Sequence, residues 1–175
     1  DAVFAERALA ASAPVYPYGS SWSVTENGNS FVYQSVRHKF ELPLPALVGA
    51  HQIMNAGTAI AAVEQSPFHH LLTQEVLEKS MHTVVWPGRL QKLARGPLVD
   101  LLPPGWELWI DGAHNDSGAE ALARYLSGHG LPAHVICMMK DKKDALTFFK
   151  NMQPVLHSAT AVDVDVHVKM LASEE

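Results

Sequence analysis

The sequence predicts an α/β fold in which strands and helices alternate around a parallel sheet. After Trp86, strand-like apolar segments alternate with helices of about ten residues, which is the pattern of βαβ units. Residues 133–139, apolar except for His134, form a run of the kind that lies buried in a parallel sheet. Apolar residues make up 47% of the chain and charged residues 18%, so the chain has the material for a packed core.

Composition also excludes several classes of partner. Lys and Arg total 13 against 18 Asp and Glu, a net charge of −5 with no visible basic stripe, so we expect no nucleic-acid partner. No apolar stretch approaches the roughly 18 residues of a membrane-spanning helix, so we expect no membrane partner. The single Cys137 rules out an internal disulfide framework and a cysteine-based zinc site. It fits a reducing compartment, and we expect a cytoplasmic protein.

Both ends of the chain have the pattern of interrupted elements. Residues 1–11 place Val3, Phe4 and Leu9 on one helical face with no capping residue before them. Residues 161–168 alternate as a clean strand that is followed only by a short tail. We therefore expect a chain that is truncated at both ends.

The first half of the chain is predicted to combine a small antiparallel sheet with two helices. The pair Asn27-Gly28, flanked by β-forming residues, is a hairpin signal. Small residues dominate 49–64, which indicates a closely packed helix with Ile53 and Ile60 on its buried side. Thr73 is placed to cap the next helix. The predicted elements are strands at 21–25, 30–36 and 38–44 and helices at 49–64 and 74–82.

From Trp86 onward the pattern becomes β-α-β-α-β. Ser117 and Glu120 have the spacing of a capping box, which predicts that a helix opens there, and Gly128 and Gly130 can end it. The predicted elements are strands at 106–110, 133–139 and 159–168, a helix that opens at 117 and a helix at 144–152.

The turn after the strand at 106–110 is the first candidate site. In open α/β sheets, ligands bind outside the carboxyl ends of the strands and at helix N-termini. Asp111 ends this strand, and a carboxylate there can accept hydrogen bonds from ribose hydroxyls. His114 lies just ahead of a helix, where it can meet a phosphate. A purely structural interpretation, in which Asp111 and Asn115 cap the turn and His114 is solvated, stays open.

Two further segments carry polar residues at suitable positions. Residues 86–89 (WPGR) form a rigid turn that presents Arg89, whose guanidinium can bind two phosphate oxygens at once. His51 and Asn55 are four residues apart on one helical face, and an Asn amide can both donate to and accept from an adenine edge. The structural alternatives are an ordinary surface Arg89 and an Asn55 that bonds to local backbone.

Together these segments resemble one family. The stretches LPALVGAHQIMNAGTAIAA, WPGRLQ and DGAHN occur in this order in the folylpolyglutamate synthases, which include the bifunctional dihydrofolate synthases of bacteria and belong to the Mur ligase superfamily. The resemblance runs from residue 18 to residue 142. The family usually has Pro where this chain has Asp116, a departure that affects the turn and not the expected ligands.

The resemblance implies both a fold and an activity. It assigns residues 1–84 to the end of a Mur-ligase-like central ATPase domain and residues 85–175 to the start of a Rossmann-like, glutamate-handling C-terminal domain. It implies an ATP-dependent carbon–nitrogen ligase: ATP phosphorylates a folate or dihydropteroate carboxylate, the amine of L-glutamate attacks the acyl phosphate, and Mg²⁺ bridges the phosphates. Asn55 would contact adenine, Arg89 the phosphates and Asp111 the ribose, with His114 beside the phosphates.

The catalytic parts of such an enzyme are expected upstream. The family's central domain starts with a P-loop, but none of the 11 glycines here is followed by Lys. The magnesium ligands and a modified lysine also belong before a region like residues 1–11. We therefore expect no catalytic and no metal-binding residue in this chain, His69 and His70 included, and no ligase activity from the chain alone.

Two alternatives remain open. A Mur ligase that builds peptidoglycan precursors would use Asn, Arg, Asp and His residues in the same roles. The Mur enzymes, however, have the pattern HN..N in the helix motif, where this chain has His51-Gln52. A stand-alone, non-catalytic nucleotide-binding module would need a native start near Asp1, and the uncapped first helix argues against that start.

Overall fold

The computed structural model describes residues 2–130, 132–139 and 143–162. Contacts divide the chain into two compact units, Asp1–Asp111 (the first unit) and Gly112–Glu175 (the second unit). Helices and strands occur in both units, which confirms the predicted α/β class. The domain boundary that we expect between residues 84 and 85 stays a prediction.

The first unit contains most of the predicted elements close to their expected bounds. The helix expected at 1–11 is present, and none of its residues is buried. The elements are α1 (Ala2–Ala10), β1 (Trp22–Asn27), β2 (Ser30–Ser35), β3 (Lys39–Pro43), α2 (His51–Glu64), a 3₁₀ turn (His69–Leu71), α3 (Gln74–Thr83), β4 (Gln91–Leu93), α4 (Pro97–Asp100) and β5 (Leu108–Ile110).

Strands β1, β2 and β3 form an antiparallel sheet in sequence order. The predicted hairpin is confirmed, but Asn27 pairs with Ser30, so the two turn residues are Gly28 and Asn29. Gly28 has a φ of 61°, a left-handed conformation that glycine adopts without strain. Thr73 caps α3 as predicted, because its side chain accepts the Val76 N–H at 3.3 Å.

Helices α2 and α3 share a core with this sheet. Ile53 and Ile60 are buried, as predicted. Gly57 allows a close approach: a Cβ at this position would lie 2.4 Å from Val24 Cγ1 and 2.9 Å from Trp22 Cζ3. The buried cluster consists of Trp22, Phe31, Tyr33, Phe40, Leu42, Ile53, Ile60, Ala61, Leu77 and Met81.

Strands β4 and β5 form a second, two-stranded sheet in the first unit. They pair antiparallel, with Gln91 opposite Ile110. A strand at 91–93 is not among the predicted elements, because three residues are too few to show an alternating pattern. This pairing places the start of β4 beside the end of β5, next to Asp111.

The second unit contains α5 (Asp116–His129), β6 (Ala133–Cys137), α6 (Ala145–Met152), a 3₁₀ turn (Gln153–Val155) and β7 (Leu156–Ala161). Strands β6 and β7 are parallel with α6 between them in the chain, which confirms a βαβ unit. The strand predicted at 106–110 does not extend this parallel pair, because β5 pairs antiparallel with β4 instead. The strand predicted at 159–168 starts earlier, at Leu156, and its residues 163–168 lie outside the described residues.

The predicted capping box at Ser117 is wrong. The N-cap of α5 is Asn115, whose Oδ1 accepts the Gly118 N–H at 2.9 Å, so the helix opens at Asp116. The core of this unit consists of Ala119, Ala123, Phe148 and Met152. Within the described part of the chain, no helix has the length and apolar character needed to cross a membrane.

Candidate functional site

Leu90 is the point at which three of the candidate segments meet. It is 4% exposed, and its N–H donates to Asp111 Oδ2 at 2.7 Å. Its Cδ1 lies 3.4 Å from the position that a Cβ on Gly49 would occupy, at the start of α2. The residue that follows Arg89 is thus bound to Asp111 and lies beside Gly49, two residues before the helix that carries His51 and Asn55.

The turn that carries Arg89 is held in a strained shape. Gly88 has a φ of 73° and Leu90 a φ of 42°, and positive φ at a residue other than glycine is uncommon. Two side chains hold the turn: Gln91 Oε1 accepts the Gly88 N–H at 2.9 Å, and Asp111 accepts the Leu90 N–H. The exposed Arg89 donates through Nη1 to Gly88 O at 3.3 Å. The exposed guanidinium is therefore carried by a turn whose backbone is fixed.

Asp111 is partly buried and directly follows β5, as predicted. The carboxylate reaches across the β4–β5 pair because Ile110 lies opposite Gln91, the residue after Leu90. Its contact is with Leu90, so Asp111 fixes a turn other than the one that the structural interpretation of the sequence had it cap. The turn that it fixes is the one that presents Arg89.

Asn55 lies exposed on α2 and belongs to a chain of side-chain hydrogen bonds. Its Nδ2 donates to Gln52 Oε1 at 3.0 Å, and Gln52 Nε2 lies 3.0 Å from His51 Nε2. Gln52 is only 4% exposed. The imidazole of His51 lies over Gly49, where a Cβ would be 2.6 Å from His51 Cε1. His51 and Asn55, predicted to share one helical face, are linked through Gln52.

His114 is the candidate residue that belongs to the second unit. Its Nδ1 lies 2.8 Å from Gly112 O, and the ring is exposed at the N-terminus of α5. An open groove of about 320 Å³ is lined by His114, Asn115, Asp116, Ser117, Lys143 and Asp144. Hydrogen bonds from the Thr147 backbone N–H and hydroxyl hold the pKa of the Asp144 carboxyl below its ordinary value.

Gln52 and Glu64 are the two buried polar side chains in the described residues. Glu64 Oε1 accepts from Ser35 Oγ at 2.6 Å and lies 2.6 Å from His38 Nδ1, and Oε2 accepts from Tyr33 OH at 3.2 Å. Burial raises the pKa of Glu64, but these hydrogen bonds outweigh it and leave the pKa below 4.5. Burial, then the Glu64 charge, raises the pKa of Tyr33 to about 12. The cluster ties β2 to the end of α2.

The paired histidines 69 and 70 occupy the 3₁₀ turn after α2, with ring centroids 6.1 Å apart. Each Nδ1 lies 3.1 Å from a backbone carbonyl, of Ser66 and Pro67 respectively. Across residues 2–130, 132–139 and 143–162, no three His, Cys, Asp or Glu side chains are grouped to hold a metal ion.

Two residues at the site are missing from the sequence-based candidates. Gln52 orients Asn55, and Gln91 holds the turn of Arg89. Gln52 leaves a signal in the sequence, because helical spacing puts it on the buried side of α2 beside Ile53, where a polar side chain needs a partner. Gln91 leaves none, because its contact depends on how the turn folds.

A dihydrofolate synthase/folylpolyglutamate synthase from Bacillus subtilis (strain 168) is 26% identical to this chain over 151 residues, which are 84% of this chain and 33% of that protein. The resemblance to the folylpolyglutamate synthases is confirmed. No protein-family model matches the chain. The chain spans about one third of the length of this curated relative.

Solved structures of folylpolyglutamate synthases share the fold. E. coli FolC in complex with ADP matches with a TM-score of 0.70 and 21% identity over 92% of this chain and 36% of that one. The Mycobacterium tuberculosis folylpolyglutamate synthase complexed with ADP and AMPPCP matches with a TM-score of 0.65 and 26% identity over 91% of this chain and 35% of that one. The mixed α/β architecture is therefore that of a part of these enzymes.

Proposed function

We propose that this chain is part of an ATP-dependent carbon–nitrogen ligase of the folylpolyglutamate synthase kind and that it supplies nucleotide contacts. The observation that carries the proposal is the meeting of three motif segments at Leu90, through Asp111, Gly49 and the turn of Arg89. Similar proteins have been solved with ADP and with AMPPCP, which supports a nucleotide as the ligand.

Arg89 would bind the phosphates of ATP. Its guanidinium offers planar, paired N–H donors that match two phosphate oxygens, and its positive charge is permanent. The turn beneath it is already fixed by Gln91 and Asp111, so little backbone entropy remains to be lost on binding. A strained turn held by two side chains is the kind of preorganisation that a binding site requires.

The other predicted residues would contact the adenine, the ribose and the phosphates. Asn55 would contact adenine through its exposed amide, and Asp111 would accept hydrogen bonds from the ribose in addition to holding Leu90. His114 would lie beside the phosphates, at the N-terminus of α5, where backbone N–H groups favour anions.

The reaction that we propose for the full enzyme is amide formation through an acyl phosphate. The γ-phosphoryl group of ATP passes to a carboxylate of folate or dihydropteroate, which releases ADP. The amine of L-glutamate then attacks the acyl carbon and releases inorganic phosphate. In this proposal residues 1–84 end the central ATPase domain and residues 85–175 begin the glutamate-handling domain, in a cytoplasmic enzyme.

Magnesium would accompany ATP and neutralise charge on its phosphates. The described residues do not fit a magnesium site, because they contain no group of three candidate ligands. We therefore assign no step of the reaction to a metal held by these residues and expect its ligands elsewhere in the enzyme. We expect no ligase activity from these 175 residues alone, because none of the 11 glycines is followed by the Lys of a P-loop.

Nucleotide binding by the purified chain tests the site. We expect fluorescence titration with a labelled ATP analogue to show that Arg89→Ala weakens binding by about tenfold, the value of one or two charged hydrogen bonds. Arg89→Lys should recover part of the loss, because Lys keeps the charge but not the paired donors. Arg7→Ala, which removes an exposed arginine of α1, is the matched control. Equal affinity in the wild type and Arg89→Ala would contradict the proposal.

A chimera tests the reaction. The matching third of the Bacillus subtilis relative is replaced by this chain, and glutamate addition is assayed with folate, dihydropteroate and a muramyl precursor as acceptors. We expect activity with the folate-type acceptors and none with the muramyl compound. A folded, ATP-binding chimera without folate-dependent activity, or turnover by the 175-residue chain alone, would count against this account.

A further inference from the structure

Buried Gln52 lies between His51 and Asn55 and has a hydrogen-bond partner on each side. Its Oε1 accepts from Asn55 Nδ2 and its Nε2 faces His51 Nε2, both at 3.0 Å. An amide oxygen can only accept and an amide nitrogen can only donate. The orientation of one side chain in this chain of hydrogen bonds therefore fixes the orientation of the next.

At the His51 end of this series of hydrogen bonds, the imidazole is held by packing. The imidazole packs over Gly49, whose φ of 111° and missing Cβ leave room for it, and Leu90 Cδ1 lies beside the same space. Since Gln52 Nε2 can only donate, His51 Nε2 must accept, which places the proton of a neutral imidazole on Nδ1. In this arrangement Gln52 Nε2 donates to His51 while Gln52 Oε1 accepts from Asn55, so both contacts are satisfied at once.

At the exposed Asn55 end of this series of hydrogen bonds, the contact with Gln52 gives the Asn55 amide a single orientation. One Nδ2 hydrogen is used by Gln52 Oε1, which leaves Oδ1 and the second Nδ2 hydrogen as the pair that Asn55 can offer to a ligand. An acceptor beside a donor matches the N6 amino group and N7 of adenine. Guanine presents O6 and N7, two acceptors, on the same edge, so Oδ1 would face O6 there.

We infer that Gln52 is a positioning residue that sets the base preference of the nucleotide site by fixing the orientation of the Asn55 amide. The inference rests on the proposed function, since it requires that Asn55 meets the base. It goes further in naming a buried residue that touches no ligand and yet decides between adenine and guanine nucleotides.

Two substitutions separate this role from simple packing. Gln52→Met removes both hydrogen bonds at similar length and leaves the Asn55 amide able to rotate. Gln52→Glu keeps an oxygen that can only accept, so Asn55 Nδ2 still points toward it and Oδ1 still points outward. The second carboxylate oxygen then accepts from His51, whose neutral ring can move its proton to Nε2. Titrations of the wild type and both variants with labelled ATP and labelled GTP give the ratio of the two affinities, and melting temperatures report the packing.

We expect the wild type to prefer ATP over GTP by on the order of tenfold or more, the discrimination of one paired base contact. Gln52→Met should lower the ratio severalfold, mainly by a gain in GTP affinity, and Gln52→Glu should retain it. A ratio near one in the wild type, or an unchanged ratio in Gln52→Met, would overturn the inference while ATP binding upheld the site. No binding of either nucleotide would overturn the site and the inference together.

One readout needs neither a variant nor a nucleotide. The ¹⁵N chemical shifts of the His51 ring distinguish the two neutral tautomers. We expect the proton on Nδ1. A proton on Nε2 would mean that Gln52 has the opposite orientation, with its oxygen toward His51, and would overturn the inference even where all three proteins bind ATP.

Discussion

The two units of the chain differ in how much apolar surface their described elements bury. The first unit packs α2 and α3 against a three-stranded sheet around ten buried apolar residues, whereas the described core of the second unit has four. Ile136, on the β6 strand that the sequence predicted to lie buried in a parallel sheet, is 75% exposed. Buried polar side chains in the described residues, Gln52 and Glu64, lie in the first unit alone. The unit with the larger described core therefore also carries the buried polar side chains, one of which lies in the candidate site.

Unfolding of the two units can be followed separately. All four tryptophans, at positions 22, 86, 106 and 109, belong to the first unit. Tryptophan fluorescence therefore follows unfolding of the first unit. Amide hydrogen exchange can follow α5 and α6 of the second unit.

The largest expected effect comes from Glu64. We expect Glu64→Gln to lower the free energy of unfolding of the first unit by on the order of 2 kcal/mol at neutral pH, because the buried hydrogen bonds to the carboxylate lose their charge. The pKa of Glu64 is lowered on folding from 4.5, so its ionised form adds stability above about pH 4.5, and that stability is lost as the pH falls through the folded pKa.

Urea titrations followed by tryptophan fluorescence between pH 7 and pH 3 measure this effect. We expect the wild type to lose stability as the pH falls, and Glu64→Gln to lose less. Glu26→Gln, which neutralises an exposed carboxylate of β1, is the control and should follow the wild type. Parallel pH profiles for the wild type and Glu64→Gln would show that the cluster does not act as described.

A pair of glycine substitutions gives the next largest effect and contrasts the two units directly. Gly57→Ala in α2 should cost about 1–3 kcal/mol, since the new Cβ would lie 2.4 Å from Val24 Cγ1. Gly128→Ala in α5 meets no atom within 4 Å and should stabilise its helix by up to about 1 kcal/mol, the difference in helix propensity. Fluorescence reports the first change and hydrogen exchange the second. A change in stability of the same sign in both variants would contradict the difference in packing around these two glycines.

The smallest effect concerns the start of α5. Asn115→Ala should cost about 1 kcal/mol, because it removes the acceptor of the Gly118 N–H. Ser117→Ala should change stability by less than about 0.5 kcal/mol, since that hydroxyl donates to Asn115 Oδ1 and caps no backbone group in this structure. Hydrogen exchange of the first turn of α5 distinguishes the two, and a larger loss from Ser117→Ala would restore the capping box.

What could be predicted from the sequence is what local signals determine. The hairpin, the Thr73 cap and the burial of Ile53 and Ile60 each depend on residues within one element or its turn. The cap of α5 was misplaced because Asn115 and Ser117 are both good caps, two residues apart, and the sequence does not choose between them.

What could not be predicted depends on contacts between segments that are far apart in the chain. The pairing of β4 with β5 brings Asp111 to Leu90, which is 21 residues away in the sequence. The motifs of the candidate site could be found as separate segments, but their meeting at Leu90 requires the fold. The role of Gln91 is hidden for the same reason.

The central claim is that Asn55 and the turn of Arg89 bind one nucleotide, and NMR titration of the chain with ATP tests it most directly. We expect the backbone N–H signals of Gly88 and Leu90 and the side-chain amide signals of Asn55 to shift together with one dissociation constant. Signals of Gly57, which lies in the core, should stay unchanged. ATP binding that shifts other signals and leaves these three residues unmoved would contradict the account.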